Sequence, residues 1–177
     1  MATAINRPKP DEHAAYYARY IDLIDGDDAL PVLISQIEGT TRMLERLDNS
    51  AALHRYAPDK WSVKQVVGHL CDAERVFAYR ALRIARADAT PLPGFDENQF
   101  VANANFDSRP LPDLVLELRA LRAASVALFG SLPPEAMTRR GTANDQTISV
   151  RALAWCIVGH ERHHGRLLGE RYGLRPE

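Results

Sequence analysis

Gly159-His160-Glu161-Arg162-His163-His164-Gly165-Arg166-Leu167-Leu168 carries three of the chain's six histidines within five residues. The stretch lies inside a segment, Ser149 to about Tyr172, whose apolar spacing predicts a helix. At about 100° per residue, His160 and His164 stand about 40° apart, one turn from each other on one face. Val150, Leu153, Cys156, Ile157, Leu167 and Leu168 surround that pair on the helical wheel, so both imidazoles point inward. His163 falls about 60° to the other side of His160, at the edge of the stripe. A buried imidazole pair is costly unless its nitrogens are satisfied, and a metal ion satisfies both at once. A hydrogen-bonded core pair is the other reading. HxxxH without a third ligand does not choose between them.

Working outward, three more long helices are predicted. Asp28 to Leu47 repeats Leu30, Leu33, Ile34, Ile37, Thr41, Leu44 and Leu47 at spacings of three and four. Gly26-Asp27-Asp28 supplies its cap and separates it from a short helix, Asp11 to Ile24. Ser62, with Gln65 three residues on, forms a capping box that opens a helix running to about Arg86. Its inner face is Val63, Val66, Leu70, Ala73, Phe77, Ala81 and Ile84. Pro112 to Gly130 is the fourth, with Leu114, Leu118, Leu121, Ser125 and Leu128 inward. Residues 87–110 and 131–148 read as long connections, and no strand is required. The expected fold is all-α: a four-helix bundle with a short additional N-terminal helix and long connections. Residues 11–177 form a single domain in this reading, behind a flexible tail over residues 1–10.

Composition excludes several functions. The 177 residues suit one domain, and 46% hydrophobic with 25% charged is ordinary for a soluble globular chain. A formal net charge of −1 gives no electrostatic footprint for nucleic acid. No apolar run approaches the ~18 residues needed to span a bilayer, and Met1 to Pro10 lacks the apolar segment of a secretory leader. Cys71 and Cys156 make no CxxC and read as buried free thiols of a cytoplasmic protein.

A candidate third ligand lies on the Ser62 helix. His69 lies beside Val66, Ala73 and Val76 on the wheel and can turn toward a seam with a neighbouring helix. One imidazole from that helix and an i,i+4 pair from another would fix three neutral donors in a bundle core, leaving coordination positions open. Such donors suit zinc, nickel, iron or copper. Glu161, about 100° from His160, is too far round the helix to join them. Arg80 shares the His69 side of its helix three turns on, where it either pairs with a carboxylate or meets an anionic ligand. Phe95 and Phe100, in the long connection, are candidate wall residues for the pocket. His163 is a surface or rim residue. His13 and His54 receive no role.

Several segments resemble the DinB-like family of bacterial four-helix-bundle metalloproteins. They are Tyr56-Ala57-Pro58-Asp59-Lys60-Trp61-Ser62-Val63-Lys64-Gln65-Val66-Val67-Gly68-His69-Leu70, the following Asp72-Ala73-Glu74-Arg75, and Gly159 to His164. The resemblance runs from about Tyr17 to Tyr172 and includes the Pro-Leu-Pro-Gly-Phe-Asp loop, residues 91–96. It implies one divalent transition metal, zinc or nickel, on His69, His160 and His164. It also implies thiol-dependent transferase chemistry on a small electrophile, or hydrolysis by metal-bound hydroxide. A non-catalytic metal-binding stress-response protein is a third reading. The implied partners are a small-molecule substrate, a low-molecular-weight thiol and a second copy of the chain. Trp155, on the outward face of the last helix, supports a homodimer unless it packs beneath the N-terminal helix.

Overall fold

The computed structural model describes residues 4–174. Four long helices form the bundle: α2 (Leu30–Leu44), α3 (Val63–Ala85), α5 (Leu111–Gly130) and α7 (Val150–Tyr172). α3 packs chiefly on α7 and α5, and α2 closes the bundle against α5 and α7. The short α1 (Ala15–Ile21) lies along α7. Among the described residues no helix is long and apolar enough to cross a membrane.

The predicted helix starts follow from their caps. Ser62 Oγ accepts from the Gln65 backbone N–H, and Gln65 Oε1 accepts from the Ser62 N–H, each at 3.0 Å. Ser149 Oγ accepts from the Ala152 N–H and starts α7. Asp28 Oδ1 takes the N–H of Leu30 at α2 and also that of Ile5. The predicted inner face of α3 is buried throughout. In α2 the assignment fails at Ile34, which is half exposed.

The connections depart from the prediction. Residues 131–148 hold a short helix, α6 (Pro134–Met137), and a two-stranded antiparallel hairpin, β1 (Arg140–Ala143) and β2 (Gln146–Ser149). Asn144 and Asp145 form its turn, both at positive φ (51° and 58°). That double left-handed turn is what a two-residue hairpin demands, and Asn and Asp tolerate it better than other non-glycine residues. The connection over 87–110 also contains a helix, α4 (Glu97–Ala104), because Asp96 accepts from the N–H groups of Asn98 and Gln99. Leu92 pairs with the hairpin: its N–H donates to Thr142 O, and its carbonyl accepts from Asn144 N–H. The hairpin thereby holds the 91–96 loop over the bundle.

The flexible tail expected over residues 1–10 is not seen from Ala4 onward, and residues 1–3 lie outside the described part. Ile5 is fully buried, and its carbonyl accepts from Trp155 Nε1 at 2.9 Å. The Arg7 guanidinium stacks 4.4 Å from the Trp155 ring centroid. Trp155 is therefore a core residue roofed by the N-terminal segment, and it offers no anchor for a dimer. The predicted helix from Asp11 is broken at His13–Ala14, leaving a 3-10 turn at Pro10–Glu12 before α1.

Glu12, in that turn, is buried and accepts from Ser149 Oγ and the Arg151 guanidinium. Burial would raise its carboxyl, but these donors outweigh it and hold the group at about 2, below the usual 4.5. A depressed carboxyl contributes its stability fully above pH 4.5 and loses it as pH falls toward 2. Glu12→Gln is expected to be less stable at neutral pH by about 1.5–3 kcal/mol. It should also lose less stability than wild type between pH 4.5 and pH 2, as read by thermal melting. Parallel melting curves across that range would refute the assignment.

A buried polar layer divides the core in two. On α3 one apolar cluster ends at Cys71 and the other begins at Ala73. On α7 the same boundary falls between Val158 and Leu168, and on α5 between Leu118 and Phe129. His69, Glu74, Arg122, His160, Glu161 and His164 all occupy this boundary and are all buried.

Candidate metal centre

His69 from α3 and His160 and His164 from α7 come together in the buried layer, with one ring nitrogen of each within 4.8 Å of the others. His160 Nε2 lies 3.0 Å from His69 Nε2 and 3.2 Å from His164 Nε2. Each first histidine follows a glycine against which another element closes. A Cβ on Gly68 would sit 2.4 Å from the Phe106 ring, and one on Gly159 would sit 2.2 Å from Tyr20 O. The missing side chains let the 3-10 turn Phe106–Ser108 seat on α3 and α1 seat on α7, beside His69 and His160.

This arrangement fits an ion. Three nitrogens at the usual ~2.0–2.1 Å from one tetrahedral centre are about 3.3 Å apart, close to the two separations seen. His160 Nε2 has one lone pair or one proton, so it cannot satisfy both facing nitrogens as a hydrogen-bond partner. Burial lowers the His69 pKa to about 4, with His163 adding to the effect. Burial also holds His160 and His164 well below the usual imidazole value, with neighbouring imidazoles and Arg19 adding to it. All three are thus neutral donors at pH 7, the form that coordinates metal. His164 Nδ1 is buried without a hydrogen-bond partner among the described residues.

The triad opens onto a cavity of about 630 Å³. Trp61 packs 4.8 Å from His69 between ring centroids, Tyr20 5.3 Å from His160, and Phe77 5.9 Å from His160. His163 is exposed on the cavity rim, 5.7 Å from Tyr20, as its wheel position predicted. Phe95 lines the cavity. Phe100 does not line it; it packs on Phe95 from outside, 5.0 Å between centroids. Tyr17, Tyr20 and Trp61 were not singled out as wall residues from the sequence. Their spacing, Tyr17 and Tyr20 one turn apart on α1, was visible, but where α1 docks was not. Cys71 and Cys156 are buried, free and outside the cluster.

Glu161 faces away from the cavity. Its carboxylate accepts from Thr40 Oγ1 of α2 and lies 2.7 Å from Arg122 Nη2 of α5. Arg122 also grips Glu74 of α3 through Nε and Nη2, each at 3.0 Å. One buried arginine thus ties two buried carboxylates on α3 and α7, the two helices that carry the triad. On the α5 wheel Arg122 stands one turn from the inward Leu118 and Ser125, but the carboxylates it meets lie on other helices and no local pattern names them.

A family profile described as the DinB superfamily matches residues 34–168. Among curated proteins, none matches the chain. Among solved structures, YfiT from Bacillus subtilis, a probable metal-dependent hydrolase with an unusual four-helix bundle topology, superposes with a TM-score of 0.68. The two share 18% sequence identity over 95% of this chain and 94% of that one.

Proposed function

This chain belongs to the DinB superfamily, and from that premise we propose that it is a metal-dependent transferase joining a low-molecular-weight thiol to a small electrophile. The observation that supports this most is the convergence of three buried, neutral imidazoles at an open cavity. An ion held by His69, His160 and His164, zinc or nickel by donor type, would supply Lewis acidity and lower the pKa of a thiol at its open position. The transfer then needs no separate base. The thiolate sulfur bonds to the electrophilic carbon, the thiol proton passes to solvent, and the leaving group departs with its electron pair.

The surroundings favour this over hydrolysis. Among the described residues lining the cavity, the one carboxylate is Glu97, exposed on the rim. Glu161, adjacent in sequence, is committed to Thr40 and Arg122. Trp61, Phe77, Tyr20 and Phe95 supply aromatic walls for an organic electrophile, beside polar groups from Arg80, Asn144 and Gln146. Hydrolysis is the second reading, favoured by the description of YfiT, and His163 would then be the nearest base. A closed, non-catalytic metal site fits the open cavity less well. The two buried free cysteines suit a reducing cytoplasm.

The test uses cobalt(II)-loaded protein. Titration with N-acetylcysteine is expected to produce a sulfur-to-cobalt charge-transfer band. The zinc-loaded protein is expected to consume 1-chloro-2,4-dinitrobenzene only when the thiol is present. Turnover of an activated aryl ester without thiol, and no sulfur band, would overturn the transferase reading in favour of hydrolysis.

A further inference from the structure

Two arginines are buried among the described residues, Arg80 and Arg122. Arg122 is held by Glu74 and Glu161, and the half-buried Arg151 by Glu12. Arg80 is only 3% exposed, yet no carboxylate among the described residues pairs with it. Its Nη2 donates to Pro93 O at 2.7 Å, and the Tyr17 side chain and the Phe95 ring lie against it. A guanidinium has five N–H donors, and the Pro93 carbonyl with the Tyr17 hydroxyl leaves part of this fork unused and no charge opposite it. An uncompensated buried cation is costly and persists where something else completes it.

Arg80 lines the same cavity as the triad. His69, Ala73, Phe77 and Arg80 run along one side of α3 and all face the cavity, with Ala73 keeping the floor low between them. On α1, Tyr20 touches His160, and Tyr17, one turn away, touches Arg80. Eleven residues separate His69 from Arg80, about 16 Å along the helix axis, and helical side chains lean toward the N-terminus. Both side chains lean that way, so the shift cancels in part and the free fork stays on the order of 10–16 Å from the imidazole nitrogens. Arg19, the other cavity arginine, is exposed and stacked on Tyr16, so water already completes it.

We propose that Arg80 is an anion-recognition residue, and that the molecule filling the cavity carries a carboxylate or phosphate group at one end and its metal-reaching group at the other. This deepens the proposed function by naming the substrate class, and it rests on that reading only in placing the reactive end at the triad. The planar fork, walled by Tyr17 and Phe95, favours bidentate binding of two anionic oxygens. The carbonyl of Pro93 fixes the orientation of the fork from the 91–96 loop.

Calorimetry tests this without turnover. Mercaptoalkanoates of four to eight carbons, and mercaptoalcohols of equal length, are titrated into the zinc-loaded protein. Simple alkanoates, alkyl phosphates and alcohols are titrated into chelator-treated protein. Wild type is expected to bind the anionic member of each pair about tenfold more tightly. Arg80→Met, an apolar side chain of similar length, is expected to lose that preference while keeping its zinc content and its affinity for the neutral thiols. Arg80→Lys should retain part of it. Whichever of alkanoate and alkyl phosphate binds more tightly identifies the natural anion.

If the thiols bind zinc-loaded protein no better than simple alkanoates, the transferase reading fails while the Arg80 preference stands. Equal binding of anions and alcohols by wild type overturns the inference without recourse to any variant. An undiminished preference in Arg80→Met overturns it as well.

Discussion

His160→Ala, purified from zinc-supplemented culture, is expected to carry no stoichiometric metal, where wild type carries about one ion per chain. His160 is the most exposing substitution of the three because its Nε2 faces both other imidazoles, at 3.0 and 3.2 Å. Removing it leaves His69 and His164, on different helices, without the donor between them. His164→Ala and His69→Ala should also lose the ion, and His163→Ala should keep it, since His163 stands on the cavity rim. Full retention in His160→Ala would discard the ligand set.

A second readout separates a ligand from an ordinary core histidine. Truncating a well-packed core side chain costs about 2–5 kcal/mol through lost burial and the cavity left behind. In the metal-free protein, however, these three imidazoles face one another with nitrogens that cannot all be satisfied. Metal-free His160→Ala is therefore expected to melt no lower than metal-free wild type, and only wild type should gain stability when zinc is added. A large loss in the metal-free comparison would make His160 a packing residue.

Arg122→Ala is expected to destabilise the fold by about 3–5 kcal/mol, a large share of the 5–15 kcal/mol that holds a typical domain. Arg122 is 2% exposed and is the counter-ion of both Glu74 and Glu161, themselves 4% and 2% exposed. Without it, two carboxylates remain in the bundle centre, and Thr40 alone donates to either of them among the described residues. The penalty comes mainly from the charges left behind, not from the loss of an attraction. Arg122→Met combined with Glu74→Gln and Glu161→Gln should therefore recover much of the loss. Urea unfolding of both variants checks this. A loss under about 1 kcal/mol for Arg122→Ala, or a triple variant worse than the single one, would contradict it. The effect should extend to metal affinity, because the triad is divided between α3 and α7, and this network ties those helices together.

Much of the architecture was legible as periodicity. The inner face of α3 and the capping box at Ser62 stand where spacing put them, because a long amphipathic helix states its buried side locally. The hairpin was missed because its turn uses Asn144-Asp145 in place of a glycine pair, and each strand has only four residues. Asp96 marked the start of α4, but its helix is short and mostly exposed, so no apolar stripe announced it. Trp155 looked outward on the wheel only because the strand-like segment at Ile5 that covers it arrives from the other end of the chain.

For the site, the sequence by itself determined that His160 and His164 share a face, from their spacing of four, and that this face is buried, from the apolar residues between Val150 and Leu168 that surround it on the wheel. The wheel of the Ser62 helix offered His69 as their companion, and the family resemblance implied the same three. Only the tertiary structure decided that the three ring nitrogens meet, that Glu161 turns away to Arg122, and that Arg80 is left without a carboxylate beside the same cavity. The reason is physical: a helix dictates the direction of each side chain about its own axis, whereas what a side chain meets depends on which helices pack against it and in what register. Those are long-range outcomes of burial, and no local pattern carries them.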